Sequence, residues 1–396
     1  MRNLAKHLKS NSYPLATIGL FFALIPIFFY FNLPFADILT RIFAISIYAL
    51  SFDLLLGYTG LLNFGQSLFF GMGAYITAYT LNWTEFNFMV ALLFSLLVGA
   101  ILGVILSLIV RRSFKGVPFT FFSLAFVMII LSMFQKRIFR PVSGGEGGIL
   151  VPLPGILKSI WAIRVFEYGF LGLLAIGLLV AIYKNTRNFS LLQQVPTMLV
   201  SSGIIGGIFY FATEHLSYLE SAASFERLTA NRYYLTLSFL VAIYFLIRRV
   251  VSSPVGKVWQ SIRENETRTE VIGYNTFNYK LLALAVSGSI AGLAGGLYAP
   301  YLLTVSAGNV FDPFITIRAL IFAVLGGLGT LKGAILGAGI ILLLEHFLNP
   351  LIGGWTSILI GIIFIFVVFS MPRGIVGELT VTGGKSFREM VREMVS

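Results

Sequence analysis

The chain has 396 residues, of which 57% are hydrophobic and only 11% charged, and its formal net charge is +12. Soluble domains carry about 25% charged residues, so these few charges could not cover the surface of a soluble globular domain. Disorder is excluded as well, because disordered segments are polar and highly charged. The mean hydropathy of +0.90 and the long apolar runs indicate an all-α, polytopic integral membrane protein rather than a transmembrane barrel.

The chain contains no cysteine and only three histidines. Disulfides, thiolate metal sites and a cysteine nucleophile are therefore excluded, and we expect no metal site. An excess of Lys and Arg in a membrane chain is typical of cytoplasmic loops that touch anionic lipid, so the expected contact is with membrane lipid and not with nucleic acid.

Uncharged stretches predict a single transmembrane domain over 1–396 with about ten to twelve spans, some of them broken or re-entrant. A cytoplasmic N-terminus and C-terminus place most of the 28 basic residues on the cytoplasmic side, as the positive-inside rule requires. The predicted spans are 14–32, 37–56, 64–81, 88–110, 117–135, 162–183, 193–213, 232–250, 281–300, 315–328, 334–348 and 353–371.

Three polar segments interrupt or follow these spans. Residues 136–161 are predicted to form a periplasmic loop, 252–280 a cytoplasmic segment and 372–396 a cytoplasmic tail. Residues 184–231 form a long, serine-rich segment to which the sequence assigns no role.

An early cluster of polar residues, Asn63, Gln66 and Ser67, lies in the uncharged stretch 54–84. Polar groups buried in a membrane need partners, and these partners could be backbone, a solute or a neighbouring subunit. The alternative is a turn between two helices that Asn63 caps, and the two interpretations are compatible.

The segment 252–280 carries Arg263, Glu266 and Glu270 at i, i+3 and i+7, which predicts one charged face of a short helix. Ser252-Ser253-Pro254 is a helix start signal and Gly273 a stop signal. A short helix between two spans has the shape of a coupling helix that docks into a cytoplasmic partner, although the charge pattern alone would equally fit a solvated loop helix.

Two glycine ladders with four-residue spacing follow, and each makes one smooth helix face that favours close helix packing. The second ladder includes a cluster, Gly326-Gly327-Leu328-Gly329-Thr330, between two apolar runs that are each too short to span. This cluster predicts a discontinuous helix whose free backbone groups could meet a polar solute, so Gly326, Gly327 and Gly329 join the candidate path. The ladders are Gly288, Gly292, Gly296 and Gly329, Gly333, Gly337.

Catalytic motifs are absent. Gly384-Lys385-Ser386 fails as a nucleotide-binding loop because Leu379 stands where its first glycine is needed, so we expect no nucleotide hydrolysis and no catalytic residue in this chain. Asp53, Glu345 and His346 are ionisable but fall near predicted helix ends, where snorkelling or helix-end pairing is expected.

Five sequence motifs resemble the permease subunits of branched-chain amino acid ABC importers, a class that includes urea and short-amide permeases, over residues 40–375. The longest is close to diagnostic, and LGGLGTLKG favours the amino acid branch over the urea branch. The motifs are LLLGYTGLLNFGQSLFFGMGAY (54–75), KGVPFTFFSLAF (115–126), SGGEGG (143–148), SPVGKVWQSIRENETRTEVIGYNTFNYKLLALAVSGSIAGLAGGLYAPY (253–301) and LGGLGTLKGAILGA (325–338).

The resemblance implies a transport subunit without its own ATPase site, in the inner membrane of a prokaryote. The implied partners are a second homologous permease, two cytoplasmic ATP-binding subunits that hold ATP and Mg, and a soluble substrate-binding protein. The general importer pattern of Glu-Ala-Ala, three residues and Gly is degenerate here, with Thr267, Arg268 and Thr269 at the equivalent positions. The implied ATPase-coupling residues are Arg263, Glu264, Asn265, Glu266, Glu270 and Gly273.

A urea or short-chain amide permease is the alternative function, and a stand-alone secondary transporter or an intramembrane enzyme is a more distant one. A secondary transporter would carry ionisable groups at midplane for ion coupling, and only Asp53, Arg41 and Arg318 come near. An intramembrane hydrolase would need a catalytic pair on facing helices, which the sequence does not offer.

Overall fold

The computed structural model describes residues 35–83, 87–111, 116–158, 224–371 and 373–381. Nearly all of these residues are helical, and single 3-10 turns occur at Arg137–Phe139, Gly145–Gly147 and Gly353–Trp355. In chain order the helices are α1 (Phe35–Thr59), α2 (Gln66–Trp83), α3 (Phe88–Ile109), α4 (Gly116–Gln135), α5 (Arg140–Ser143), α6 (Gly155–Lys158), α7 (Ser224–Ser252), α8 (Pro254–Glu264), α9 (Glu266–Val271), α10 (Thr276–Leu302), α11 (Ala307–Val310), α12 (Pro313–Gly326), α13 (Leu331–Ile352), α14 (Thr356–Ser370) and α15 (Gly374–Val381).

Seven helical stretches in the described part of the chain are long and apolar enough to cross a membrane. The prediction of an all-α, multi-pass membrane protein is thereby confirmed. Three predicted spans, 14–32, 162–183 and 193–213, lie outside the described residues. The seven stretches are Ala36–Thr59, Phe88–Ile109, Pro118–Gln135, Leu228–Ser252, Thr276–Leu302, Ala307–Gly326 and Leu331–Glu378.

The chain divides into two compact units, one of residues 1–39 and 155–238 and the other of residues 40–154 and 239–396. In the first unit, the side chain of Asn231 donates a hydrogen bond to the carbonyl of Leu157 at 2.8 Å, which ties α7 to α6. The second unit contains every candidate site residue described below.

The centre of the second unit is a packed group of three helices, α2, α3 and α10. Two of their backbones approach closely, since a Cβ atom added to Gly288 would lie 2.6 Å from the Gly99 carbonyl oxygen. Gly296 instead packs against side chains, and a Cβ there would lie 2.7 Å from the Thr77 hydroxyl. A Cβ added to Gly292 would collide with the carbonyl of Ser95. The first glycine ladder therefore lies along the face that α10 packs against α2 and α3.

One small sheet departs from the all-helical expectation. Strand β1 (Ile149–Leu150) pairs antiparallel with β2 (Thr304–Val305), which follows α10. Gly148 adopts a φ of +71°, and a Cβ there would lie 2.5 Å from the carbonyl oxygen of Val305. Strands of two residues are too short to produce an alternating pattern, so the sequence gives no signal for this sheet.

Candidate functional site

The segment that joins α7 to α10 folds as two short helices, α8 and α9, and we call it the α8–α9 segment. Ser253 begins α8, because its side chain accepts a hydrogen bond from the Gly256 N–H while Pro254 occupies the first turn, as the sequence predicts. Asn265 is extended and ends α8, and its side chain accepts from the Arg268 N–H to begin α9.

The expectation that Arg263, Glu266 and Glu270 share one helix face is wrong. Arg263 belongs to α8 and the two glutamates belong to α9, because the cap at Asn265 divides the predicted helix in two. Asparagine at a helix start inside a charged run was the signal that could have revealed this division.

The two glutamates of α9 face α10 of the same chain. The buried ammonium of Lys280 lies 2.6 Å from a carboxylate oxygen of Glu266, and the hydroxyl of Thr276 donates to Glu270 at 2.7 Å. The indole N–H of Trp259, a fully buried side chain of α8, donates to the Tyr279 carbonyl at 2.9 Å. These contacts fasten both short helices to the start of α10.

Arg263 extends from the same segment in another direction, toward α1. Its guanidinium donates to the carbonyl of Gly57. One turn earlier in α1, Asp53 is 0% exposed and accepts a hydrogen bond from the Gly329 N–H at 2.7 Å. Of the two roles expected for Asp53, snorkelling or helix-end pairing, snorkelling is wrong, because the residue is buried and its partner is a backbone group 276 residues away.

The end of α9 carries an exposed apolar pair that sequence reasoning missed. Val271 is 82% exposed and Ile272 is 69% exposed. Gly273 follows with a φ of +104°, which ends the helix. Glu264 also lies exposed on this segment. The signal in the sequence was two adjacent large apolar residues at the end of a charged, solvent-facing helix.

The early polar cluster forms a buried network rather than a surface. Asn63 donates to the Gln66 side-chain oxygen at 2.9 Å and accepts from the Gly65 N–H at 3.0 Å, so it also caps the turn. The Gln66 amide donates to the hydroxyls of Ser51 (3.0 Å) and Ser287 (2.8 Å). All of these side chains are 0% exposed, so the network joins α1, α2 and α10.

Ser67, the neighbour of Gln66 in the chain, bonds to one residue of α12 and to one residue just before that helix. Its N–H donates to the Thr316 hydroxyl at 3.0 Å, and its own hydroxyl donates to the carbonyl of Phe311 at 3.3 Å. Thr316 also lies 3.2 Å from the hydroxyl of Tyr48 in α1. The three predicted path residues are therefore brought together, with every one of them hydrogen-bonded inside the protein.

The second glycine cluster lies at a break between α12 and α13, residues 327–330. Gly327 and Gly329 have φ values of +117° and +74°, which favour glycine. The 14 residues of α12 span only about 21 Å, but together with α11 they form the stretch Ala307–Gly326, which is long enough to cross a membrane. The 22 residues of α13 are long enough as well, so the expectation of two runs that are too short to span is wrong.

The two remaining ladder residues, Gly333 and Gly337, pack α13 against α12. A Cβ at Gly333 would lie 2.5 Å from the carbonyl oxygen of Gly326, and one at Gly337 would collide with the carbonyl of Phe322. The backbones that flank the break are therefore in direct contact.

Glu345 of α13 lies between two arginines. Its carboxylate is 3.5 Å from the Arg41 guanidinium and 3.1 Å from that of Arg318. The neighbouring His346 packs its ring at 71° to that of Phe347. Glu345 thus pairs with cations from α1 and α12, which fits pairing near helix ends.

The sequence of this chain is similar to the sequences of known proteins. A family model described as "Branched-chain amino acid transport system / permease component" matches residues 35–188 and 149–368. The high-affinity branched-chain amino acid transport system permease protein LivM of Escherichia coli is 24% identical over 340 residues, which is 86% of this chain and 69% of LivM.

A relative with a different name, LivH, matches over a similar length. The corresponding permease protein LivH of Salmonella typhimurium is 22% identical over 344 residues, 84% of this chain and 91% of LivH. A probable LivM permease of Methanocaldococcus jannaschii is 26% identical over 157 residues, 36% of this chain and 45% of that protein. No solved structure shows a significant match.

Proposed function

The chain belongs to the family of permease components of branched-chain amino acid transport systems, and from this premise we propose that it forms one half of the membrane pore of an ATP-driven importer. The other half would be a second, homologous permease, since relatives of this chain include proteins named LivM and LivH. The solute would be a branched-chain amino acid, as the names of those relatives state for their own systems.

The observation that carries this proposal is the α8–α9 segment. It is fastened to α10 through Lys280 and to α1 through Arg263, yet it presents Val271 and Ile272 to solvent. An apolar tip on a firmly anchored charged segment is suited to dock into a soluble partner and to pass that partner's movement to the spanning helices. We propose two cytoplasmic ATP-binding subunits as this partner, which places the α8–α9 segment and both termini in the cytoplasm of a prokaryote.

The energy would come from those subunits. This chain lacks a nucleotide-binding loop, so ATP and Mg would be held by the partners and this chain would carry out no hydrolysis. A soluble binding protein would deliver the solute at the opposite end, where β1 and β2 lie.

The solute path is proposed from polar groups that meet between helices. Asn63, Gln66 and Ser67 lie where α1, α2 and α10 converge, and the break at residues 327–330, directly after Gly326, leaves backbone groups outside any helix. In this conformation Asn63 bonds to Gln66, and the side chains of Gln66 and Ser67 bond to other parts of the protein, so a path along them would open only if the helices separate. Uptake kinetics of Asn63→Ala and Gln66→Ala would test this: unchanged kinetics would remove both residues from the path.

The proposed function is tested with Val271→Asp in the complete transporter. A carboxylate on the apolar tip should prevent docking, so we expect that the ATP-binding subunits no longer co-purify and that ATP-dependent uptake of leucine into proteoliposomes is lost. Val271→Leu is the matched control, because it changes the same exposed side chain but keeps the tip apolar. It should retain both properties.

The same assay addresses the alternative solute. Leucine, isoleucine, valine and urea are offered in parallel, and the proposal predicts uptake of the three amino acids only. Uptake of urea alone would contradict it, as would leucine uptake that persists without the ATP-binding subunits.

A further inference from the structure

Asp53 is a buried carboxylate that the proposed transport chemistry does not use. Its Oδ1 accepts from the Gly329 N–H, and among the described residues its Oδ2 has no hydrogen-bond partner. Burying a carboxylate is costly unless other groups compensate it. For packing alone, a hydrophobic side chain at this site would cost less free energy. A residue of this kind indicates a specific role for its charge.

The arginine that lies next to the Asp53 contact comes from the α8–α9 segment. The guanidinium of Arg263 donates to the carbonyl of Gly57, one turn after Asp53. A Cβ atom added to Gly329 would lie 3.1 Å from Nη1 of Arg263, so the guanidinium also lies against the break between α12 and α13. One arginine thus touches both segments that Asp53 joins.

The contact between α1 and the break is tight. A Cβ added to Gly57 would lie 2.6 Å from the Gly329 nitrogen, so the two backbones are in direct contact beside the carboxylate. The N–H of Gly329 lies outside any helix, and Asp53 supplies the acceptor that a helix would have provided. At Gly329 the break is therefore bonded to α1 and not to its own helix.

We propose that Asp53 is a positioning residue: it clamps the break between α12 and α13 to α1, and Arg263 ties this clamp to the α8–α9 segment. A displacement of the segment then reaches the break directly, and the break moves when the ATP-binding subunits move. This inference rests on the proposed function and adds to it the connection between the docking tip and the solute path.

The second attachment of the segment follows a different route. Lys280 and Thr276 join α9 to the start of α10 through Glu266 and Glu270. Loss of the clamp at Asp53 leaves the α8–α9 segment fastened to α10. Such a loss can therefore lower transport without an equal loss of ATP hydrolysis.

The test uses Asp53→Asn and Asp53→Ala in the complete transporter, with leucine uptake and ATP hydrolysis measured in the same proteoliposomes. Hydrolysis stimulated by the loaded binding protein should stay within about twofold of wild type, whereas leucine transported per ATP should fall about tenfold in Asp53→Ala. Asp53→Asn keeps an acceptor oxygen for Gly329 but loses the charge, so leucine transported per ATP should fall about threefold in this variant.

Asp312→Asn is the matched control, since Asp312 caps the other end of α12 by accepting from the Phe314 N–H, and asparagine is an equally good cap. Leucine transported per ATP in Asp312→Asn should equal that of wild type. Arg263→Lys should lower the ratio as Asp53→Asn does, because an ammonium cannot reproduce the planar guanidinium contact.

The inference is overturned if both Asp53 variants transport as much leucine per ATP as wild type, or if uptake and hydrolysis fall in parallel in Asp53→Asn. Should Asp53→Ala not assemble, the near-isosteric Asp53→Asn decides alone. A wild-type transporter that shows no ATP-dependent uptake would instead contradict the proposed function, so the two failures are distinguishable.

Discussion

The core of α2, α3 and α10 and the attachments of the α8–α9 segment are held together in contrasting ways. In the core, backbone meets backbone: Gly73 lies so close to Gly292 that a Cβ would be 2.7 Å from the Cα of Gly292. At the α8–α9 segment, long charged side chains span the gap, and Lys280 and Arg263 each make one of the attachments.

These two kinds of contact imply different movements. The core of α2, α3 and α10 moves as one body, whereas the α8–α9 segment can change its contacts. Close-packed backbones transmit a displacement without deforming, because interiors of this density have few alternative arrangements. Side-chain attachments can be broken and remade at a cost of a few kcal/mol, which suits them to a switch. We therefore expect substitutions in the core to abolish assembly and substitutions at the attachments to alter coupling or local order.

The largest effect is expected from Gly73→Val in α2. The added atoms would meet the backbone of Gly292, which cannot move aside, so the free energy of unfolding should fall by about 3 kcal/mol or more. Detergent-solubilised protein should show this as a lost or strongly lowered midpoint in a thermal unfolding scan.

Gly361→Val in α14 is the control for that substitution. Gly361 is also helical, but nothing lies within 4 Å of a Cβ built there. Its midpoint should stay close to wild type. Equal losses in both variants would show that valine itself, and not the close backbone approach, is responsible, and the distinction between the two regions would fail.

An intermediate effect is expected from Lys280→Met. The substitution leaves the Glu266 carboxylate without its ion pair, at a cost of about 2 kcal/mol, because a partly buried charge loses its partner. Hydrogen exchange should show α9 losing protection while α2 and α3 keep theirs. Lys257→Met, at an exposed position of α8, is the control and should leave the exchange of α9 unchanged; protection lost equally throughout the molecule would contradict the local nature of this attachment.

The smallest effect is expected from Ser253→Ala at the start of α8. Loss of the side-chain acceptor for the Gly256 N–H should cost about 1 kcal/mol. The first turn of α8 should exchange its amide hydrogens faster, with leucine uptake reduced less than twofold. A variant without uptake would mean that this cap takes part in the docking itself.

Much of this architecture was open to prediction because its signals are local. Ser253 and Gly273 bound the α8–α9 segment as their residue types predict, and the run from Gly326 to Thr330 marks a break between helices. Glycine spacing of four residues predicted close helix packing, and the structure places Gly288 and Gly292 against α3 backbone. In each of these cases one residue type has one conformational or steric property that few others share.

The contacts that sequence reasoning missed are long-range. Asp53 reads as an isolated acid near a helix end, since its partner at Gly329 is a backbone group that no pattern can mark. The sequence pattern of Glu266 and Glu270 indicates a surface face, although their carboxylates bind the ammonium of Lys280 and accept from the hydroxyl of Thr276 in the next helix. Such pairs depend on which elements fold against one another, and hydrophobic periodicity does not contain that information.

The proposed function requires that the tip of α9 dock into an ATP-binding subunit. Because the chain has no cysteine of its own, Ile272→Cys places a single thiol at the tip, and a thiol-directed photocrosslinker there reports its neighbour in the complete transporter. We expect Ile272→Cys to capture an ATP-binding subunit with a yield that changes when ATP is added, and Ile138→Cys to capture none. Capture of no such subunit from Ile272→Cys, or equal capture from both positions, would contradict it.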